Sequence, residues 1–267
     1  MADVVVAGAA GRMGRCLIGC LAEATDLRLV GALERPGHPA LGTDVGEAAG
    51  TGRNGVAITD DPAALFSRDR ILLEFSVPEA TLRHLRLAAG RGVRAVIGTT
   101  GLSPGERDEI ATLARQIPIL VSPNMSVGVN LAFKLLAQMA GVLGDEYDVE
   151  ITEIHHRGKK DAPSGTALRM AEVIAAALGR DPTQVLVYGR QGLRGERTVK
   201  EIGIQSLRAG DVVGEHTVVF GGLGERLEVT HRAGSRETFA RGAIRAARFI
   251  ATAPAGLYSM QDVLGLK

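Results

Sequence analysis

The sequence has no tryptophan and few other rings; aromatic residues make up 3% of its 267 positions. That excludes a protein that stacks nucleic-acid bases on rows of exposed aromatic side chains. Cysteine is almost as scarce. Cys16 and Cys20 are the two present, four positions apart on one expected helix, too few and too local for a disulfide framework or a structural zinc site. They read as small buried apolar residues, and no metal site is expected. Excess charge is lacking too: 31 Lys and Arg stand against 30 Asp and Glu, a net +1 at pH 7, which gives no broad field for nucleic acid or an anionic membrane. No apolar run is expected to reach the ~20 residues of a membrane span. Met1-Ala2-Asp3 leads straight into a strand pattern, with no charged signal region before it. A cytoplasmic chain acting on small molecules is the expectation.

What the chain has in quantity is glycine, 35 residues, and apolar side chains, 45% of the total, enough for ordinary cores in about two domains. Val4-Val5-Val6-Ala7 is a continuous apolar run of the kind buried on both faces of a parallel sheet. Gly8-Ala9-Ala10-Gly11-Arg12-Met13-Gly14 follows it, with glycines spaced for a tight turn, close backbone approach to a pyrophosphate and close helix packing. Arg12 and Met13 would face the nucleotide. Leu27–Leu33 reads as the second strand and ends at Glu34, about 20 residues beyond the turn, where a carboxylate meets the adenine ribose. Arg35 beside it can pair with a 2′-phosphate, so the two together suit either NADH or NADPH. Strands are also expected at 56–58, 71–75, 93–97 and 117–121, the last two leading into Gly98-Thr99-Thr100-Gly101 and Ser122-Pro123-Asn124-Met125. Loops at such strand ends are where open α/β sheets take their ligands.

Between these, residues 36–55 read as a Gly- and Pro-rich flap, and Ser76-Val77-Pro78-Glu79 as a capping box. A helix over 130–143 leads out of the nucleotide domain. Residues 185–200 read as a loop able to close over a site, and the alternating runs 202–207, 212–220 and 227–231 as an antiparallel sheet with an apolar face to spare. A final helix with Phe239, Ala243, Ala247 and Ile250 on one face returns to the first domain. The expected architecture is α/β: a Rossmann-like parallel-sheet nucleotide domain over 1–126, completed by 236–267, and a second α+β domain with a mixed or antiparallel sheet over 127–235, for substrate binding and oligomerisation.

The densest chemistry lies at 153–167, Glu-Ile-His-His-Arg-Gly-Lys-Lys-Asp-Ala-Pro-Ser-Gly-Thr-Ala. Tyr147, Val149 and Ile151 alternate with polar residues, so a strand delivers His155 and His156 at its end. Ser164 then caps a helix with Leu168, Ala171, Ala175 and Leu178 on one face, which Gly179 and Pro182 close. Imidazoles, Lys159, Lys160 and the first-turn N–H groups of Gly165 and Thr166 converge on one place, a cradle for a small carboxylate or phosphate.

From His155 to Ala167 the sequence closely resembles the substrate motif of the 4-hydroxy-tetrahydrodipicolinate reductase (dihydrodipicolinate reductase) family of lysine and diaminopimelate biosynthesis. The likeness runs on through the turn at Gly8, Gly98–Gly101, the Gly-Glu-His-Thr run at Gly214 and the last helix. It implies His155 and Lys159 as the proton-transfer pair, His156, Gly165 and Thr166 as substrate ligands, and Ser164 and Asp161 as residues that shape the loop. It further implies Gly98, Thr99, Thr100, Ser122, Pro123, Asn124 and Met125 as contacts to the nicotinamide half, and a homotetramer. Other two-domain amino-acid dehydrogenases, aspartate or diaminopimelate dehydrogenase, share the architecture but not this motif. A non-catalytic redox sensor would need a partner or DNA surface that the neutral net charge does not offer.

Overall fold

Apolar runs that cannot face water on either side pair as parallel strands when helices cover both faces of the sheet. In the computed structural model, which describes residues 1–266, the first unit is built this way. Its elements are β1 (Ala2–Ala7), α1 (Arg12–Glu23), β2 (Leu27–Leu33), α2 (Val45–Ala49), β3 (Ile58–Thr59), α3 (Pro62–Leu65), β4 (Ile71–Glu74), α4 (Pro78–Arg91), β5 (Arg94–Ile97), α5 (Pro104–Leu113) and β6 (Pro118–Val121). The second unit contributes α6 (Val127–Leu143), β7 (Asp148–His155), α7 (Gly165–Ala177), α8 (Pro182–Val185), β8 (Leu186–Tyr188), β9 (Ile202–Arg208), β10 (Gly214–Gly221) and β11 (Arg226–Ala233). The chain then returns to the first unit with α9 (Glu237–Ile250), β12 (Gly256–Tyr258) and α10 (Met260–Leu264). By compactness the first unit is Met1–Val127 with the segment from Arg236 onward, and the second is Gly128–Ser235.

The first sheet runs β12-β6-β5-β4-β1-β2-β3, every pair parallel. Val4, Val5, Val6 and Ala7 of its central strand are wholly buried. β1 pairs with β2 on one side and β4 on the other, and the chain passes from β3 back across to β4, which makes the carboxyl end of β1 a switch point. There Gly8, at φ +74, carries the turn into α1. Gly14 lies so close under it that an added Cβ would stand 2.2 Å from the Gly8 carbonyl oxygen. The turn and the start of α1 are therefore packed backbone on backbone. Ala240, Ala243, Ala247 and Ile250 of α9 are buried, and this helix packs on α1 and on β5.

The second sheet runs β11-β10-β7-β9-β8 and is mixed. β10 pairs antiparallel with both β7 and β11, whereas β9 runs parallel to β7 and to β8. The antiparallel expectation thus fails at β9: alternation says which side chains share a face but not which way a strand runs. One face packs on α6 and α7 through Val149, Ile151, Ile204, Val218 and Phe220. The other carries Glu150, Thr152, Glu215, Thr217 and Thr230 in register, with Ile154, Val219 and Leu207 among them, so it is mixed rather than the spare apolar face expected.

Further differences have local causes. Residues 36–55 include α2, organised by Asp44, whose carboxylate accepts from the backbone N–H groups of Gly46, Glu47, Asn54 and Gly55. Ser76 does not cap α4; Pro78 at its first turn makes Val77 the cap, and the Ser76 hydroxyl goes to buried Glu74. α6 starts at Val127, and with the turn after it forms 20 residues that contain an 18-residue stretch of mean hydropathy 1.4, long and apolar enough to cross a membrane by length and composition. Val129, Ala132, Phe133, Leu136 and Ala140 along it pack into the second unit's core. Residues 185–200 contain β8, and their loop is pinned to the outer face of the sheet by Arg190 and Arg197 on Glu150, with Arg197 also on Asp148. It lies on the face opposite His155. The buried stripe of α7 is Ala167, Met170, Ala171, Ile174 and Ala175, with Leu168 and Leu178 at its margins.

The backbone contact beneath Gly8 gives a direct test. Gly14→Ala should destabilise the protein by about 2 kcal/mol or more, since no flexible side chain can yield. Gly19→Ala, on the same helix with nothing within 4 Å of its added Cβ, should be neutral or stabilising by up to about 1 kcal/mol. Thermal unfolding of both variants decides it; equal midpoints would refute the close-packing account.

Candidate active site

In the first unit two adjoining cavities, about 520 and 480 Å³, lie along the carboxyl ends of the parallel strands and share Gly11, Phe75 and Ser76 in their walls. Gly8, Glu34 and Arg35 line the first. Arg12, Met13, Gly98, Thr99, Thr100, Ser122, Pro123, Asn124 and Met125 line the second. Ala9 and Ala10 are in neither wall. Ala9 is buried in the core and its N–H, like that of Gly8, goes to the Leu33 carbonyl; the Ala10 N–H goes to Glu34 Oε2 at 3.2 Å. Glu34 Oε1 accepts from Arg35 N at 3.0 Å, so the carboxylate is held against the turn. No side chain caps α1, which leaves its first-turn N–H groups to a ligand. A dinucleotide fits this groove: an anion at the α1 start, a carboxylate for ribose hydroxyls, and a second chamber for the other half.

In the second unit the inner face of the sheet changes character row by row. Ile204, Ile151, Val218 and Val229 stand level across β9, β7, β10 and β11; the next row is Ser206, Glu153, His216 and His231; then come Arg208 and His155, with Gly214 on β10. Polar groups thus surface where β7 ends. His155 Nδ1 lies 2.5 Å from Glu153 Oε2, and Arg208 Nη1 donates to Glu153 Oε1 at 3.0 Å. The His155 and His216 rings meet edge to face, centroids 5.2 Å apart. His216 Nε2 is 2.9 Å from Ser164 Oγ, which accepts from Ala167 N at 3.2 Å as the α7 cap. That cap leaves the N–H of Gly165 outside its reach, with open space in front of that glycine. The loop between is shaped by Lys159 N on the His156 carbonyl and by Lys159 Nζ on both oxygens of Asp161, at 2.8 and 2.9 Å. His155, His156, Lys159, Gly165 and Thr166 therefore share one end of this unit, and Lys160 stands exposed beside them.

Burial works against the charge on Glu153, yet hydrogen bonds from His155, Ser206 and Arg208 outweigh it and hold the carboxyl below the usual range. Burial, with the nearby cations Lys159 and Arg208, also lowers the proton affinity of His155 by more than Glu153 raises it. Both directions fit one state: Glu153 is ionised, Arg208 is its counter-ion, and His155 near pH 7 is mainly neutral, donating Nδ1–H inward. His216 is pushed down to about 4 by burial and by His155 beside it, so it stays neutral.

A parallel-sheet unit with a dinucleotide groove, joined to a unit whose basic loop surrounds a buried imidazole, defines a pyridine-nucleotide-dependent oxidoreductase. The N-terminal profile of dihydrodipicolinate reductase matches residues 2–125 and the C-terminal profile matches residues 128–264. The chain belongs to the dihydrodipicolinate reductase family, also called the 4-hydroxy-tetrahydrodipicolinate reductases. It is 54% identical to 4-hydroxy-tetrahydrodipicolinate reductase of Citrifermentans bemidjiense over the whole of both chains. It is 57% identical to that of an Anaeromyxobacter species over all of this chain and 99% of the relative. A dipicolinate-bound dihydrodipicolinate reductase from a Paenisporosarcina species superposes with a TM-score of 0.78 over 98% of each chain, at 25% identity. An amine dehydrogenase of Mycobacterium smegmatis, at 17% identity and a TM-score of 0.60, shares the fold.

Sequence reasoning missed Glu153, Arg208 and His216 in the second unit and Phe75, Ser76 and His84 in the first. A signal existed for Glu153: alternation from Val149 and Ile151 puts it on the buried face. Glu74 offered a similar one, a carboxylate closing an apolar strand, and it is wholly buried with His84 Nδ1 2.6 Å from Oε2.

The buried neutral histidines make stability depend on pH. An unfolded histidine takes up its proton near 6.5, whereas His216 in the folded chain resists it down to about 4, and His155 and His231 are lowered too. Stability should therefore be full above about pH 6.5 and fall as the pH drops toward 4, with His216 alone worth on the order of 3 kcal/mol. His216→Asn should flatten the slope of thermal midpoint against pH in that window. An unchanged slope would show that His216 is not the group refusing the proton.

Proposed function

We propose that this chain reduces 4-hydroxy-tetrahydrodipicolinate to tetrahydrodipicolinate, in lysine and diaminopimelate biosynthesis, with His155 and Lys159 moving the proton. The observation that carries the reading is the convergence of His155, His156, Lys159 and the α7 N-terminus on one end of the second unit, in a chain of this family. Loss of water from the substrate leaves a conjugated cyclic imine bearing two carboxylates. A bound NADH or NADPH supplies hydride to the unsaturated ring carbon. Electron density then moves into an enamine, which must take a proton on carbon, so the reaction consumes one hydride and one proton and releases water.

The residues have distinct tasks. One substrate carboxylate meets Gly165 and Thr166 at the helix start, where N–H groups and the helix dipole favour an anion. His156 contacts the substrate from the loop. Lys159 has three N–H donors, and with Asp161 holding one face of the ammonium the remaining donor can serve the ligand. A dianion arriving beside His155 adds negative charge, which raises the ring's affinity for a proton and primes Nε2 as the acid or relay. On the nucleotide side Glu34 serves the ribose and Arg35 the 2′-phosphate; Gly8, Gly11, Arg12 and Met13 serve the pyrophosphate, and the loops after β5 and β6 the nicotinamide half. Work in the cytoplasm on a small dicarboxylate, as a homotetramer, completes the proposal; sedimentation of a monomer at micromolar concentration would remove the last part.

A coupled assay that generates the unstable substrate in place, following NADH and NADPH loss separately, tests the reaction; no oxidation of either would end the proposal. Within it, His155→Ala and Lys159→Ala should each lower kcat by about 10²-fold or more, the scale of a lost positioned acid. His156→Ala and Thr166→Ala should act mainly on KM. Wild-type kcat in both of the first two variants would make the loop structural. Arg35→Ala should impair NADPH use far more than NADH use, and equal loss with both would contradict the assignment.

A further inference from the structure

Glu153 is wholly buried on the inner face of β7, and besides Ser206 the donors it holds belong to different parts of the proposed site. Its Oε2 takes His155 Nδ1 at 2.5 Å and Arg208 Nη1 at 3.1 Å; its Oε1 takes Arg208 Nη1 at 3.0 Å and the backbone N–H of Ser164 at 3.3 Å. Arg208 reaches onward. Its Nη2 donates to the Asp161 carbonyl at 2.6 Å and its Nε to the Lys159 carbonyl at 3.4 Å. One carboxylate is thus bonded to the imidazole directly, to the lysine turn through a guanidinium, and to the residue that caps the helix carrying Gly165 and Thr166. A purely structural ion pair would be satisfied by Arg208 alone. Removing the charge from such a pair leaves the guanidinium uncompensated, so every part leaning on it should respond together.

We propose that Glu153 is the positioning residue of this site: it fixes His155 with Nδ1–H pointing inward and Nε2 as the exchanging nitrogen, and holds the Lys159 turn and the α7 start at one spacing. The inference rests on the assignment of His155 and Lys159 to proton transfer. Nε2 borders Gly214, where an added Cβ would stand 2.9 Å from it, so the ring fills the room that this glycine leaves. The charged and titratable groups around the ring come from every neighbouring element: Glu153 on β7, Arg208 on β9, His216 on β10 with His231 of β11 beside it, and Lys159 with Asp161 in the loop. Arg208 and Lys159 oppose a protonated ring, and Glu153 is the carboxylate in contact with it. Substrate charge can raise the ring's proton affinity usefully only if Glu153 already offsets those cations.

The test uses the full-length chain and histidine ring ¹⁵N NMR, with the His155 signal assigned through His155→Asn. In the ligand-free wild type the ring should be the Nδ1–H tautomer. In Glu153→Gln its titration midpoint should fall by about one pH unit or more. The alkaline limb of kcat should move to lower pH with it, kcat should drop about 10-fold or more, and KM for the dicarboxylate should rise. Glu153→Asp, which keeps the charge, should recover most of the midpoint. A folded Glu153→Gln with unchanged midpoint, or an Nε2–H tautomer in the wild type, would overturn the proposal. The wild-type tautomer decides even where the glutamine variant does not fold. A wild type without reductase activity would instead sink the functional reading and leave the ring measurement standing.

Discussion

Placing an ionised carboxylate inside a protein costs several kcal/mol unless donors surround it, and Glu153 is such a group at the end of an otherwise apolar strand face. The need to satisfy it links pieces that the chain separates widely. Arg208 comes from the end of β9, His155 lies two residues along β7, and Ser164 stands at the cap of α7. β7 must be central for this to work, because only a central strand can receive Ser206 and Arg208 from one side and face His216 on the other. The two apolar rows beneath supply the core that holds the sheet against α6 and α7; the polar row above carries Glu153 and His216.

The first unit uses a related device. Glu74 closes β4 as Glu153 nears the end of β7, is also wholly buried, and also binds a histidine through Nδ1. It gathers the Ser76 hydroxyl and N–H, while Thr81 of α4 meets Thr99 of the next loop at 2.8 Å. The walls of the nucleotide groove are thereby tied to strand ends rather than left to free loops. Gly8 and Gly14 serve the same end by bringing backbone to backbone, which leaves the start of α1 open to an anion.

Much of this was legible in the residues. Leu27–Leu33 is a strand over those same bounds, because a β-rich run between turn residues admits little else, and the Gly8–Gly14 turn declared its own geometry. Ser164 caps its helix as its side chain suits it to do. What escaped was set by contacts across the fold. The direction of β9 is invisible to alternation, Ser76 chose a buried carboxylate over a helix N–H, and the basic loop after β8 was captured by Glu150 on the far face. Asp44 turned a glycine-rich segment into a capped helix by binding backbone donors ten residues downstream. Glu153 and His216 look like ordinary alternating positions until the register sets them in one row with Ser206 and His231.

On the proposed reading, the end of the second unit above Glu153 holds the planar dicarboxylate. Calorimetric titration of dipicolinate measures that most directly, because its two carboxylates sit on a flat six-membered ring and no turnover intervenes. Binding should be at least about 10-fold weaker in Lys159→Ala than in the wild type, as befits the loss of a charge-assisted contact, and unaltered in Arg35→Ala. Equal affinity in the wild type and Lys159→Ala, with loss in Arg35→Ala, would put the dicarboxylate in the wrong unit and contradict the account.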